Sequence, residues 1–495
     1  MAGTGFISTT IPYVNARPHL GHALEFVQTD AFARFMRSRG EEVFFLTGSD
    51  ENSLKNVLAA EAEGLSTSDL VDRNVVFFED LLARLGSSHD YFVRTSADPL
   101  HREGATAIWQ RMADAGDIYS RAYEGLYCVG CEQFYEPDEL IDGRCPEHLT
   151  RPETVREENY FFRLSRYAAD LLEALESGRL RIVPESRHNE VDGFVRSGLR
   201  DISISRSSRR ARGWGIPVPG DPGQVMYVWI DALTNYVNAL GWTRDDPRYE
   251  RFWAHAHDRV HVMGKGVIRF HAIYWPAMLL SAGLPLPTGL VVHGYLTAGG
   301  RKLGKSLGNA VDPNTLIDAY GPRAVRYALL ATVSPFGDGD FSEERLVAAY
   351  NTDLANGLGN LVSRITSMIH RYRDGRIPAG GAGGGPERGL AGHVAAGIAA
   401  TASAMAGYDH RAALRHLSTL VGRCNAYLDE RAPWHLATAA DRGELLDTCL
   451  LHAAAGVRVL GSLLHPFLPD ASAEILAALA QPSSYAADAA TWLDG

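Results

Sequence analysis

The chain has little cysteine, no long apolar run and no excess of positive charge. Five cysteines among 495 residues, three of them close together, are too few for a disulfide framework. No run of 18 apolar residues occurs, and the opening stretch MAGTGFISTTIPYV has no basic segment followed by an apolar one. Neither a membrane span nor a secretory leader is therefore predicted, and we expect a cytoplasmic protein.

A net charge of −11 excludes a protein that coats nucleic acid with its whole surface. Contact with RNA would need a local basic face, and the run from Arg206 to Arg212 is one candidate for it. A solvated loop is an equally good interpretation of this run. A hydrophobic content of 46% and a charged content of 22% are typical of a globular protein with a large core. The length allows about three domains.

Two short motifs, far apart in the chain, indicate chemistry on ATP. His19 and His22 of HLGH lie one helical turn apart at a predicted helix start, and Lys302 and Lys305 of KLGKS lie on a predicted loop. Attack of a carboxylate on the α-phosphate builds negative charge, which cations and hydrogen-bond donors stabilise. Gly21 lets a nucleotide pack against bare backbone. Taken singly, the histidines are also explained as capping residues and the lysines as solvated ones; in this order they predict adenylate formation.

The apolar pattern predicts an α/β domain followed by helices. A strand at residues 6–11, a helix at 20–36 and a strand at 43–46 form a βαβ unit, which implies a parallel sheet with ligands at the carboxyl ends of its strands. The sheet is predicted to resume at 225–230, 260–263 and 290–293. From about residue 351 the pattern is helical, interrupted by a glycine-rich loop at 374–389.

Three cysteines and a histidine have the spacing of a zinc knuckle. Cys128-x2-Cys131 and Cys145-x2-His148 are two chelating pairs joined by a short loop, and four protein ligands leave no open position for catalysis. We predict a structural Zn²⁺. The alternative is two unrelated thiol pairs in a reduced protein.

Along nearly its whole length the chain resembles class I methionyl-tRNA synthetases. The segments that carry the resemblance are IPYVNARPHLGH, TGSDENSLK, the CxxC to CxxH knuckle, EENYFFRLS, SISR with WGIPVP, YVWIDALTNY, RFHAIYWPAML, VHGYLTAGGRKLGKSLGN and NTDLANGLGNLVSR. The resemblance implies a Rossmann-type catalytic domain in two halves, 1–116 and 225–293. It further implies an insertion at 117–224 with its knuckle at about 127–149, a lysine-loop and stem-contact region at 294–350, and a helical anticodon-binding domain at 351–495.

The resemblance also implies the substrates and their contacts. Asp50 would receive the ammonium of L-methionine and Arg206 would lie near its carboxylate. The largely apolar side-chain pocket, suited to a thioether, would consist of Ile11, Tyr13, Trp229, Ala232, Leu233, Tyr236, Val267 and His271, with Trp275 behind it.

ATP with Mg²⁺ would be bound by both motifs. His19, Gly21 and His22 would contact the phosphates, and Lys302 and Lys305 would stabilise the pyrophosphate. The other ATP-binding residues would be Gly264, Gly294 and Ser306.

The helical domain would read the anticodon of methionine tRNA. Asn360 and Arg364 would share a helix face, and Pro433 with Trp434 would offer a stacking platform. We expect a monomer, because no further module follows the helical domain, and no membrane contact, because no long apolar run occurs.

Some positions depart from the family pattern and keep alternatives open. Gly304 replaces a residue that is larger in the family and makes the lysine loop more flexible. Gly266 replaces an aspartate that would bond the ATP ribose, and Ser49, Asn52 and Ser53 differ around Asp50. A synthetase paralogue, either a drug-resistant second copy or an enzyme that passes the aminoacyl group elsewhere, is one alternative. A catalytically inactive tRNA-binding protein is the other.

Overall fold

The computed structural model describes residues 3–129, 133–146, 149–302 and 311–479, and the chain divides into two compact units. The first unit consists of Met1–Thr29, Glu42–Ala83 and Ser87–His293. The second unit consists of Asp30–Glu41, Arg84–Gly86 and Gly294–Gly495.

The first unit is built from parallel and antiparallel strands. Its strands are β1 (Thr4–Ser8), β2 (Glu42–Ser49), β3 (Tyr91–Arg94), β4 (Ile118–Cys128), β5 (Gln133–Tyr135), β6 (Glu153–Phe162), β7 (Arg181–Val183), β8 (Ile202–Ser203), β9 (Ser205–Ser207), β10 (Pro217–Val218), β11 (Asp221–Met226), β12 (Asp258–Gly264) and β13 (Gly289–His293).

Its helices pack around the central sheet. They are α1 (Leu20–Ser38, whose second half belongs to the other unit), α2 (Leu54–Glu63), α3 (Thr67–Arg84), α4 (Pro99–Asp114), α5 (Ala168–Glu176), α6 (Glu185–Arg196), α7 (Val228–Ala232), α8 (Asn235–Asn238), α9 (Pro247–Tyr249) and α10 (Trp275–Ala282). Short 3₁₀ turns occupy Pro137–Glu139, Leu164–Tyr167, Trp242–Arg244 and Lys265–Val267, and π turns occupy Glu250–Ala254 and Phe270–Tyr274.

Six parallel strands form the central sheet, in the order β3-β2-β1-β12-β13-β7. β1 and β2 are joined through α1, whereas β12, on the other side of β1, comes much later in the chain. The strand order therefore reverses between β1 and β12, and the crevice at their carboxyl ends is where open α/β sheets bind ligands. Near-continuous burial of β1, β2 and β13 is typical of a sheet covered on both faces.

The predicted βαβ unit and the strands at 260–263 and 290–293 are confirmed, but the strand at 225–230 is wrong. β11 ends at Met226 in a three-stranded antiparallel sheet, and Val228–Ala232 is the helix α7. A short buried apolar run has the same pattern in a strand and in a buried helix, so periodicity could not separate them.

The insertion predicted at 117–224 contains the long antiparallel pair β4 and β6 in a four-stranded sheet. Within this segment, however, β7 pairs with β13 and forms the edge of the central parallel sheet. The antiparallel region is therefore not continuous in the chain.

The second unit is mainly helical, as predicted. Its strands and helices are β14 (Leu296–Ala298), β15 (Arg301–Lys302), β16 (Gly339–Asp340), α11 (Pro313–Tyr320), α12 (Pro322–Thr332), α13 (Glu343–Ala349), a π segment (Tyr350–Gly359), α14 (Asn360–Arg373), α15 (Gly385–Ala406), α16 (His410–Arg431), α17 (Pro433–Leu436), α18 (Gly443–Leu464) and α19 (Pro469–Ala478). By length and composition α15 and α18 could cross a membrane, a criterion that core helices also meet, and α18 is mostly buried within the unit.

Candidate functional site

The HLGH segment forms the start of α1. The backbone N–H of His19 donates to Nδ1 of His22 at 3.1 Å, and the N–H of Gly21 donates to Nδ1 of His19 at 3.1 Å. The two half-buried rings stack with centroids 3.8 Å apart. Because each Nδ1 accepts a hydrogen bond, each Nε2 carries a proton. The helix start thus presents two imidazole N–H groups whose orientation the backbone N–H groups fix, an arrangement suited to phosphate.

Gly21 has a steric role beside the histidines. A Cβ atom at this position would lie 2.9 Å from Cε1 of His19. Any larger residue would therefore displace the His19 ring from its stack on His22.

Glu25, which sequence reasoning missed, joins the carboxyl ends of three central strands. Its Oε1 accepts the N–H of Thr10, just after β1, at 2.8 Å. Its Oε2 accepts the N–H of Gly264 at 3.1 Å and Nε2 of His293 at 3.0 Å. These two residues end β12 and β13, so Glu25 lies at the crevice where the strand order reverses. Its position three residues after His22, on the same helix face, was the available signal.

Burial alone would raise the pKa of Glu25. The hydrogen bonds from His293 and Thr10 and the charge interaction with His293 outweigh that effect and hold the pKa below its ordinary value. Glu25 is therefore a buried carboxylate with donors on both of its oxygens.

Most of the residues predicted to bind methionine belong to one large apolar cluster, the core of the first unit, or pack against it. Buried in it are Leu233, Tyr236 and Trp275, and partly buried against it are Ile11, Tyr13, Trp229 and Val267. Ala232 is also buried, at the end of α7.

Asp50 and two aromatic rings lie at one side of this cluster. Asp50 is buried after the end of β2 and forms a parallel bridge with Tyr13. The Tyr13 ring packs edge-on to Trp229 at 6.4 Å, and Trp229 stacks on Phe270 at 3.8 Å. A carboxylate next to an aromatic, apolar wall is suited to an amino acid with an apolar side chain.

His271 is held as a neutral acceptor. Its Nδ1 lies 3.0 Å from the carbonyl oxygen of Val267, which can only accept, so Nδ1 carries the proton. Its Nε2 then accepts the Tyr236 hydroxyl at 2.7 Å. Burial lowers the pKa of His271 to about 4 and raises that of Tyr236, so both side chains are uncharged at neutral pH.

His261, a second residue that sequence reasoning missed, lies beneath Tyr236. Its Nε2 accepts the indole N–H of Trp275 at 3.3 Å, so its Nδ1 donates to Oγ of Ser8 at 2.8 Å. Its ring lies 4.0 Å from that of Tyr236, and burial lowers its pKa well below the ordinary value. Within an apolar strand run, only its residue type could have signalled it.

Arg206 has a different set of neighbours. Its buried guanidinium packs on the rings of Tyr127, Phe134 and Tyr227 at 4.2–5.3 Å and donates to the Ser205 carbonyl at 2.7 Å. It lines a cavity of about 470 Å³ whose lining includes none of the other residues predicted to bind methionine. The contact of Arg206 with a substrate carboxylate stays a prediction.

The remaining predicted ATP residues are placed in part. Gly266 lies in the 3₁₀ turn after Gly264, in the first unit. In the second unit, a Cβ on Gly294 would lie 2.2 Å from the Gly337 carbonyl carbon, so this approach requires glycine. The backbone of Lys302 ends β15, paired with Thr297 of β14. Lys305 and Ser306 lie outside the described residues.

Two of the four predicted zinc ligands can be placed. Cys128 and Cys145 are both buried in one small cluster with Tyr135, whose hydroxyl lies 3.4 Å from Sγ of Cys145. Cys131 and His148 lie outside the described residues, and no group of three potential ligands is found in the described part of the chain.

The predicted anticodon residues lie on two helices of the second unit, α14 and α17. Asn360 is exposed at the start of α14, directly after the π segment. Arg364 donates to Oδ1 of Asn425 at 2.8 Å and pairs with Asp429 at 3.2 Å, both on α16. Shortly after α16, Pro433 is buried and the side chain of Trp434 is 38% exposed, which leaves ring surface for stacking.

Comparison with known proteins gives matches over nearly the whole chain. A family model described as class I tRNA synthetases (M) matches residues 5–152 and 135–366. A second, described as the anticodon binding domain of methionyl tRNA ligase, matches residues 377–494.

Individual relatives agree with the family models. The methionine–tRNA ligase of Rhizobium meliloti is 43% identical over 485 residues, covering 97% of this chain and 92% of the relative. That of Caldanaerobacter subterraneus is 43% identical over 473 residues, covering 95% and 73%. The structure of Mycobacterium tuberculosis methionyl-tRNA synthetase with methionyl-adenylate is 40% identical, with a TM-score of 0.93 over 98% of this chain and 96% of that one.

Proposed function

The chain belongs to the methionine family of class I tRNA synthetases, and from this premise we propose that it activates L-methionine with ATP and transfers it to methionine tRNA. The substrate carboxylate attacks the α-phosphate and pyrophosphate leaves. A ribose hydroxyl of the tRNA then attacks the adenylate and AMP leaves. No protein side chain acts as a nucleophile.

The stacked pair of His19 and His22 is the observation that carries this proposal. Their Nε2–H groups are held in place by bonds to Nδ1, so they need no reorganisation as charge builds on the phosphates. Lys302 and Lys305 of the KLGKS segment would hold the leaving pyrophosphate, and Mg²⁺ would accompany ATP. Gly264 would pack near the nucleoside, with its N–H fixed by Glu25.

Methionine would bind with its ammonium at Asp50 and its side chain against the aromatic cluster. The partly buried rings of Tyr13 and Trp229 offer surface to a polarisable thioether, and behind them Tyr236 and His271 are uncharged, so a methionine side chain would leave no charge unpaired there. The largely apolar lining supports selection of an unbranched apolar amino acid.

A structural Zn²⁺ and an anticodon site complete the proposal. The donor set of three thiols and an imidazole suits tetrahedral zinc, and the shared burial of Cys128 and Cys145 fits that arrangement. We expect a zinc content near one atom per chain that is lost in the Cys128→Ser variant. A wild-type chain that is fully stable without zinc would exclude the site. The exposed ring surface of Trp434 supports recognition of an unpaired anticodon base by stacking. We propose a cytoplasmic monomer, which size-exclusion chromatography tests for the oligomeric state.

The test is methionine-dependent ATP–pyrophosphate exchange followed by charging of methionine tRNA. Both activities are expected. Exchange without charging would favour the paralogue. The absence of both activities would favour an inactive tRNA-binding protein. The variant His22→Ala should lower the kcat of exchange about a hundredfold, as loss of one preorganised donor does, with little change in the KM for methionine. His257→Ala, at an exposed histidine, is the matched control.

A further inference from the structure

A buried carboxylate outside the predicted contact set links two parts of the methionine site. Asp231 is fully buried; its Oδ1 lies 2.6 Å from Nε2 of His101, and its Oδ2 accepts Nδ2 of Asn52 at 2.8 Å. Because a carboxylate oxygen can only accept, Nε2 of His101 is the donor in this bond, and Nδ2 of Asn238 donates to the His101 carbonyl at 3.1 Å. Both oxygens of Asp231 therefore accept hydrogen bonds from polar side chains.

The two partners of this link lie beside the two ends of the substrate. Asn52 follows Asp50 by two residues, in the loop that carries the proposed ammonium contact. Asp231 follows Trp229 by two residues and precedes Ala232, in the helix α7 that carries the apolar wall. The bond between Asn52 and Asp231 therefore ties the loop to the wall across 179 residues of sequence.

The Asn52 loop is anchored to the strand side as well. Nδ2 of Asn52 also donates to the carbonyl of Thr95 at 3.2 Å, and the N–H of Glu51 donates to Oγ1 of Thr95 at 2.8 Å. Asp231 is anchored on α4 through His101, which is itself fully buried. Thr95 and His101 belong to the same segment from the end of β3 to the start of α4, so this segment holds both sides. The bond from Asn52 to Asp231 joins the two sides directly and sets their separation.

Stability alone does not account for such a carboxylate. Burying a charged group costs several kcal/mol, and an apolar replacement of similar volume often serves stability equally well. A site that must grip an ammonium and a side chain at once depends on their separation to within about an ångström. A directional bond at Asp231 meets that need, whereas apolar packing does not.

We propose that Asp231, held by His101 and bonded to Asn52, is a positioning residue that fixes the distance between Asp50 and the Trp229 wall. The proposal rests on the proposed function, because that function assigns methionine to these two parts. Asp231 contacts no substrate atom; it acts through the loop and the helix that do.

Pyrophosphate exchange with separate KM values for methionine and ATP tests the proposal. Asn52→Ala and Asp231→Ala should each raise the KM for methionine about tenfold or more, the factor of one hydrogen bond to a charged group, and change the KM for ATP less than about twofold. Asn52→Ala should add little in the Asp231→Ala background, since both remove the same link. Trp242→Phe removes the 2.8 Å bond to Asn238 at the far end of the same network, and should lower the melting temperature without raising the KM for methionine.

The same measurements distinguish a failure of the proposed function from a failure of positioning by Asp231. A wild-type chain without methionine-dependent exchange would refute the proposed function. An active wild type whose Asn52→Ala variant shows equal rises in both KM values, or only a lower melting temperature, would refute positioning by Asp231 and leave the function standing.

Discussion

Replacing Glu25 with glutamine should lower the free energy of unfolding and weaken the binding of ATP. In the wild type, Oε1 accepts the N–H and the hydroxyl of Thr10, and Oε2 accepts the N–H of Gly264 and Nε2 of His293. A glutamine amide has one oxygen, so its NH₂ group must face one of these two pairs, and the backbone N–H of that pair loses its acceptor. The loss of one hydrogen bond to a charged acceptor costs about 1.5–3 kcal/mol in the free energy of unfolding, and the bonds that remain go to a neutral oxygen.

The assay pairs pyrophosphate exchange with urea unfolding. Because the Gly264 N–H either loses its acceptor or keeps only a neutral one, the KM for ATP should rise, by up to about tenfold, while the KM for methionine changes less. Glu79→Gln, at an exposed glutamate on α3, is the matched control and should change neither. A Glu25→Gln enzyme with wild-type stability and a wild-type KM for ATP would refute the role assigned to this carboxylate.

The pH dependence offers an independent check on Glu25. Its pKa is lower in the folded chain than in the unfolded one, so its stabilisation is present above the unfolded pKa and is lost as pH falls through the folded value. The glutamine variant cannot titrate there. Its stability should therefore fall less steeply with acid than that of the wild type.

Three further changes test other parts of the site. Gly21→Ala places a methyl group 2.9 Å from Cε1 of His19 and should lower exchange about tenfold or more in a folded enzyme; unchanged exchange would contradict the stacked donor pair. Burial lowers the pKa of His271 from 6.5 to about 4, so the unfolded chain takes up this proton first as the pH falls, and about 3 kcal/mol of the free energy of unfolding that is present above pH 6.5 is lost toward pH 4. His271→Gln should remove this part of the pH dependence in urea unfolding, and an unaltered pH profile would contradict the assignment. Trp434→Ala should raise the KM for tRNA in charging about 5- to 150-fold, from about 1–3 kcal/mol of lost stacking, and leave exchange intact, whereas equal losses in both assays would contradict an anticodon role.

The local spacing of apolar residues predicted much of the fold. The βα start was predictable because strand and helix differ in apolar period, and four of the predicted strands were found. The segment at 228–232 was misread as strand because a short buried helix and a buried strand have similar composition. β7 was missed as part of the central sheet, since three residues within an antiparallel region give no signal of their partner.

The sequence by itself determined the family, the parallel-sheet domain, the helical second part and the motif residues, since each depends on residue type and short spacing. Tertiary structure alone decided which groups are neutral, which are anchored and which meet. His261 and His271 are uncharged because the fold buries them, and Glu25 acquires its role only where three strand ends converge. The bond from Asn52 to Asp231 spans 179 residues, and no local pattern encodes such a contact, because hydrogen bonds and desolvation depend on distances that folding creates.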